Sequence, residues 1–294
     1  MRDVTGPLFV LAGGMCFGIS GTLQAMAPEG ATPFVIGGTR MLMSAATLFL
    51  VVLATSGLPR LKGLPMKNFA IVTFAMWLYQ ITFFEGLLYS GVAVGTVVSI
   101  GSTPVATGLL TWLIEKRSPP ANWYLATALA VAGVVCLNYV PGVEVSPGAL
   151  VLPVAAGVSY ALELYYCADM TRRYNPMSVV MAVHLVAGLC LVPFFFFYPF
   201  AWVCTSQGAL TVVALGAVSA ALPFTLLFYG MRTTAPAVGA TLGLAEPMTA
   251  SVLGIALLGE TCTAGTVAGI ALIFVAILVL VFGSPIARIR RKNS

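Results

Sequence analysis

Ten apolar stretches, each about 20 residues long and joined by short turns, fill almost the whole of this 294-residue chain. An α-helix needs roughly that length to cross the hydrocarbon core of a bilayer. The stretches run over 6–27, 33–56, 68–89, 93–115, 121–140, 147–170, 176–200, 207–231, 236–259 and 263–283. Charged residues make up 8% of the chain and the mean hydropathy is +1.01. Charge is costly inside a bilayer, so this composition predicts an all-α membrane protein. The breaks carry turn chemistry at Gly57-Leu58-Pro59, Ser118-Pro119-Pro120, Pro141-Gly142, Asn175-Pro176 and Ala235-Pro236. No loop is long enough for a soluble domain.

With the amino terminus in the cytoplasm and the stretches alternating, 13 of the 14 basic residues fall on the cytoplasmic side, among them Arg2, Arg60, Lys116, Arg172, Arg232 and the run Arg288–Lys292. Positive charge in short loops sets orientation, so the expected topology is N-in/C-in. The net charge of +5 follows from this bias and does not point to nucleic acid. Met1-Arg2-Asp3, the apolar run and Ala25-Met26-Ala27 mimic a signal peptide. The run is longer than the usual signal core, and its removal would leave nine crossings, so it is read as the first helix. Of the six cysteines, only Cys204 and Cys262 lie where they could pair near the outer face, and no disulfide framework is evident.

Ten divides into five plus five. An odd-numbered repeat emerges upside down relative to its copy, the usual architecture of a secondary transporter. The fourth stretch carries Gly95, Ser99 and then Pro104, with Glu115 beyond; the ninth carries Gly239, Gly243, Glu246 and then Pro247, with Glu260 beyond. A proline removes a hydrogen bond from the helix and frees a carbonyl. Broken helices at matching positions point to a central binding site, although each proline alone could simply bend a helix for packing. The expected organisation is one integral membrane domain of two inverted five-helix repeats, 1–140 and 141–294, the second ending in a basic tail.

Small residues, then proline, then Leu-Gly-Glu at a helix end recur in the two halves. Glu246-Pro247 through Leu257-Leu258-Gly259-Glu260 is the closer instance, and Pro104 through Trp112-Leu113-Ile114-Glu115 lacks the glycine. The chain thereby resembles the drug/metabolite transporter superfamily of EamA type over essentially its whole length. Within it, the chain is similar to the YddG-type exporters of aromatic amino acids. The resemblance implies a multi-pass exporter of the bacterial inner (plasma) membrane. It also implies a cavity lined by stretches 1, 3, 4, 6, 8 and 9, with 5 and 10 as scaffold.

An aromatic amino acid presents a ring, an ammonium and a carboxylate. Trp77, Tyr79 and Tyr160 are expected to form a ring-stacking wall able to face an ammonium, and Gln80 and Ser99 to add polar contacts. Glu163 is expected to pair with the ammonium, and Glu246 lies beside Pro247 with no evident cationic neighbour. Pro104, Pro247, Gly95, Gly239 and Gly243 are the helix-break or hinge candidates. Arg40 is the one basic residue off the cytoplasmic side, at a depth similar to Glu85, and the two are expected to pair as a structural lock or an extracellular gate. His184, the only histidine, reads as a hydrogen-bonded structural residue. Trp123, Tyr89, Tyr139 and Trp202 read as interfacial anchors. Gly265-xxx-Gly269 serves either packing or dimerisation.

One histidine cannot build a metal-hydrolase motif, and Asp3 and Asp169 are the only aspartates, neither of them deep. No phosphate-binding Gly-Lys-Ser/Thr loop occurs and nothing resembles an ion filter. The expectation is a transporter rather than an enzyme, with no cofactor and no metal. Its expected partners are a small-molecule substrate, an amino acid, and membrane lipids; a monomer is compatible with the pattern. Facilitated export needs only alternating access, whereas proton antiport would use Glu163 or Glu246.

Overall fold

Proline and glycine at the helix ends set the frame. In a computed structural model, residues 4–139 and 146–282 are described. Ten helices are long and apolar enough to cross a membrane: α1 (Thr5–Gln24), α2 (Pro33–Ser56), α3 (Met66–Ser90), α4 (Ala93–Glu115), α5 (Ala121–Asn138), α6 (Pro147–Arg173), α7 (Pro176–Phe196), α8 (Ser206–Gly230), α9 (Pro236–Leu258) and α10 (Ala264–Phe282). Among the described residues there is no β-strand. Pro33, Pro176 and Pro236 start helices where a missing amide costs nothing. Asn175 caps α7 by accepting from the Met177 amide at 2.9 Å. Gly91, with φ +79°, turns the chain from α3 into α4, and Gly259, with φ +71°, ends α9. Arg2, the tail Arg288–Lys292 and the expected repeat boundary at 140/141 lie outside the described residues. So does the Pro141-Gly142 turn.

Three helices are irregular in mid-span. Helix α1 turns at Gly18, between Thr5–Phe17 and Ile19–Ala25. Helix α8 contains a π-helical stretch, Ala214–Ala221. Helix α9 is interrupted at Gly243-Leu244, between Pro236–Leu242 and Ala245–Leu258. The seventh crossing ends in the 3-10 turn Val192–Phe196, short of the expected residue 200, and a second 3-10 turn, Ala201–Cys204, follows it.

The broadest interfaces are α5 with α10, α3 with α6, α2 with α7, α4 with α6, and α1 with α8. Glycines permit several of these crossings. A Cβ on Gly133 would lie 2.8 Å from the Gly269 carbonyl oxygen, and one on Gly269 would lie 2.7 Å from that of Gly133. The Gly265-xxx-Gly269 pair therefore packs α10 against α5 within one chain. Gly269→Leu is expected to lower the melting temperature by forcing α10 off α5, with no change in the oligomer size seen by light scattering.

Two tryptophans depart from the interfacial reading. Trp123 is 6% exposed and donates its indole N–H to the Ala237 carbonyl at 2.9 Å; Trp202 is also 6% exposed, in a small apolar cluster with Val35, Ile36, Val212 and Leu215. Burial is tolerable for Trp123 because the backbone of α9 accepts its donor. Tyr89 and Tyr139 are exposed. Large apolar side chains such as Leu50, Phe74, Leu210 and Phe282 point outward, as a lipid-covered surface requires. All six cysteines are free, so Cys204 and Cys262 do not pair.

Candidate functional site

The two mid-helix prolines behave differently. Proline 247 would collide with the carbonyl of residue 243 in a regular helix. The chain responds with a tighter turn: the Leu244 amide donates to the Thr241 carbonyl at 3.1 Å and the Glu246 amide to the Gly243 carbonyl at 2.9 Å. The half of α9 before the turn is buried and anchored to α5 through Trp123 and through the Thr127–Thr241 hydroxyl pair at 2.9 Å. The half beyond Pro247 is far more accessible. Pro104, expected to break α4 in the same way, does not: α4 runs unbroken to Glu115. In the turn before Pro104, the Ser102 and Thr103 hydroxyls both donate to the Ser99 carbonyl, at 3.1 and 3.0 Å.

Helix α1 closes on the interrupted α9 through glycine. A Cβ on Gly14 would lie 3.3 Å from the Gly243 carbonyl oxygen, and one on Gly18 would lie 2.8 Å from that of Glu246. Between these helices and α3, α4, α6 and α8 lies a small cavity. Of the expected site residues it is lined by Tyr79, Ser99, Tyr160, Gly239, Gly243 and Glu246. Gly14, Phe17, Thr103 and Leu244, which were not among the expected residues, also line it. The Tyr79 and Tyr160 rings lie 5.5 Å apart, and Tyr79 stacks on Phe83 at 5.4 Å. The Ser99 hydroxyl is buried and has no partner.

The other expected residues sit outside that wall. Gln80 is buried against Gly37 of α2 with its amide nitrogen unpaired. Trp77 pairs with the outward-facing Phe74, ring centroids 5.7 Å apart, and its indole N–H is unpaired. Gly95 packs against Leu87 and Ser90 beside the α3–α4 turn. Glu163 is 1% exposed, with one carboxylate oxygen unpaired.

Arg40 is the largest departure from the sequence reading. Among the described residues no hydrogen bond or ion pair joins it to Glu85. Its electrostatic neighbours are Glu246, Tyr79, Tyr160 and Glu163. Its Nη2 donates to the Ser219 carbonyl at 2.8 Å, while its Nε is buried without a partner. Ser219 lies in the π-helical stretch and its hydroxyl pairs with that of Ser20 at 2.7 Å, tying α2, α8 and α1 together. The physical reason is rotational. Similar depth puts Arg40 and Glu85 at one level, but α2 turns Arg40 toward the middle of the bundle. His184 is 1% exposed, bonded to the Ser44 hydroxyl at 2.7 Å and edge-on to Phe224, as a structural residue would be.

Residues 4–139 and 147–282 each match the EamA-like transporter family. A protein of Bacillus subtilis described as "Uncharacterized transporter YwfM" is 32% identical over 279 residues, covering 93% of this chain and 92% of its own. An "Uncharacterized transporter" of Archaeoglobus fulgidus is 26% identical over 155 residues, 53% of this chain and 55% of its own. A crystal structure at 17% identity superposes with a TM-score of 0.83, covering 95% of this chain and 96% of its own, a likeness of fold alone.

Proposed function

Because the chain belongs to the EamA-like transporter family, and is a multi-pass membrane transporter rather than an enzyme, we propose that it exports small amphipathic metabolites, most of all aromatic amino acids, across a bacterial inner membrane. The observation that carries this reading is the cavity itself: a ring pair, Tyr79 and Tyr160, stands beside the Glu246 carboxylate and the unpaired Ser99 hydroxyl. A substrate ring stacks on the tyrosines, and its ammonium faces Glu246.

Alternating access follows from two exchanged halves. Exchanging each helix for the one five places on turns α3–α6 into α8–α1, and leaves α2–α7, α4–α9 and α5–α10 as themselves. All of these pairs are in contact. That pattern supports two inverted repeats, residues 1–140 and 141–294, rocking about the cavity while α5 and α10 stay as scaffold. The basic ends of the helices, at Lys67, Lys116, Arg173 and Arg232, face the cytoplasm, as do both termini.

Counterflow in proteoliposomes tests the substrate. Liposomes loaded with unlabelled phenylalanine or tryptophan are expected to take up the labelled compound with saturation, with or without a pH gradient. Exchange of a cationic drug or nucleotide sugar in place of any amino acid would sink this reading. Tyr160→Ala is expected to raise the half-saturating concentration roughly threefold to tenfold, the scale of one lost ring contact.

A further inference from the structure

We propose that Arg40 is the carboxylate-binding residue of the transport site, so that the protein reads amino acids as zwitterions; this rests on the substrate class proposed above. A guanidinium carries five donors in a planar fork suited to a carboxylate. Here one donor is committed, to the Ser219 carbonyl, and the buried Nε has none. A buried donor without a partner is costly, and a ligand is one of the few things that repays it.

The position of the arginine is built rather than incidental. The Ser219 carbonyl lies in the π-helical stretch Ala214–Ala221, four residues before Pro223, and accepts from Arg40 Nη2. The Ser20–Ser219 hydroxyl pair continues this line of contacts, which runs from α1 through α8 to α2. The anchored guanidinium is an electrostatic neighbour of three cavity-wall residues, Tyr79, Tyr160 and Glu246. The site thus offers a cation, an anion and a ring pair, one for each group of an aromatic amino acid. A zwitterion adds no net charge to this set. A free amine or a free acid adds one, which a desolvated site resists.

Counterflow by the full chain against a ligand series decides it. In the wild type, phenylalanine is expected to compete for exchange at least tenfold better than phenethylamine, which lacks the carboxylate, and better than 3-phenylpropionate, which lacks the ammonium. Arg40→Lys keeps the charge and loses the fork. It is expected to weaken phenylalanine roughly tenfold and leave phenethylamine within about twofold. Equal weakening of both, or of neither, overturns the assignment. The wild-type series needs no variant, so it decides the matter even where Arg40→Lys folds poorly: phenethylamine competing as well as phenylalanine overturns the assignment. Should methionine exchange where aromatic amino acids do not, the aromatic reading fails alone, and methionine against 3-(methylthio)propylamine then decides Arg40. Should no carboxylate-bearing compound exchange, both fail.

Discussion

Arg40→Met is expected to destabilise the folded protein by about 1.5–3 kcal/mol, the scale of a lost hydrogen bond from a charged donor, because it removes the bond to the Ser219 carbonyl and with it the cation. The cost comes from what remains. Glu163 on α6 and Glu246 on α9 are both among the electrostatic neighbours of Arg40. Methionine fills the volume but leaves two carboxylates deep in the bundle with no compensating cation. Removing one of them should return part of the loss, so Arg40→Met combined with Glu163→Gln is expected to be more stable than Arg40→Met alone. Chemical denaturation in detergent micelles measures both. An unchanged midpoint for Arg40→Met, or no recovery in the double variant, would mean that the arginine does not hold these charges. Glu85→Gln makes the contrast: the sequence pairs Glu85 with Arg40, the structure does not, and the midpoint should barely move.

Transport should disappear in Gly18→Val even where the protein still inserts. An added Cβ at this position would meet the Glu246 carbonyl oxygen at 2.8 Å and the Ala250 amide nitrogen at 2.9 Å. Both are backbone atoms, so a whole helix must yield rather than a side chain. Overpacking of this kind costs about 1–3 kcal/mol. The functional loss should exceed that, because α1 would be pushed from α9 at the residues beside the Gly243-Leu244 turn that close the cavity. Gly148, whose Cβ would meet nothing within 4 Å, supplies the control: Gly148→Ala should export at the normal rate. Transport by Gly18→Val within about twofold of the wild type would show that the α1–α9 crossing does not shape the pathway.

Helix number and much of the cavity were legible because the relevant signals are local. Hydropathy marks the crossings, and proline and glycine mark their ends. Tyr79, Tyr160, Ser99 and Glu246 could be named because polar or aromatic groups at mid-depth in small-residue helices have few other uses. Contacts set by helix rotation were not legible. Arg40 and Glu85 share a level, yet the face each presents depends on packing that no single stretch encodes. The same blindness placed Trp77 on the cavity wall and Trp123 at the membrane interface. The two prolines show a subtler limit. Pro104 and Pro247 read alike, but the helix around Pro104 runs on to Glu115, while the one before Pro247 is interrupted at Gly243-Leu244.

The widened coils of Ala214–Ala221 change how the eighth crossing must be counted. Each i→i+5 turn takes up more chain than a regular one, and over such a length the surplus comes to roughly one residue, or about 100° around the axis. Side chains before and after it are therefore out of phase. A helical wheel drawn straight through Ser206–Gly230 would assign the two ends to inconsistent faces, and an alignment with an ordinary helix would show a one-residue insertion where none is dispensable.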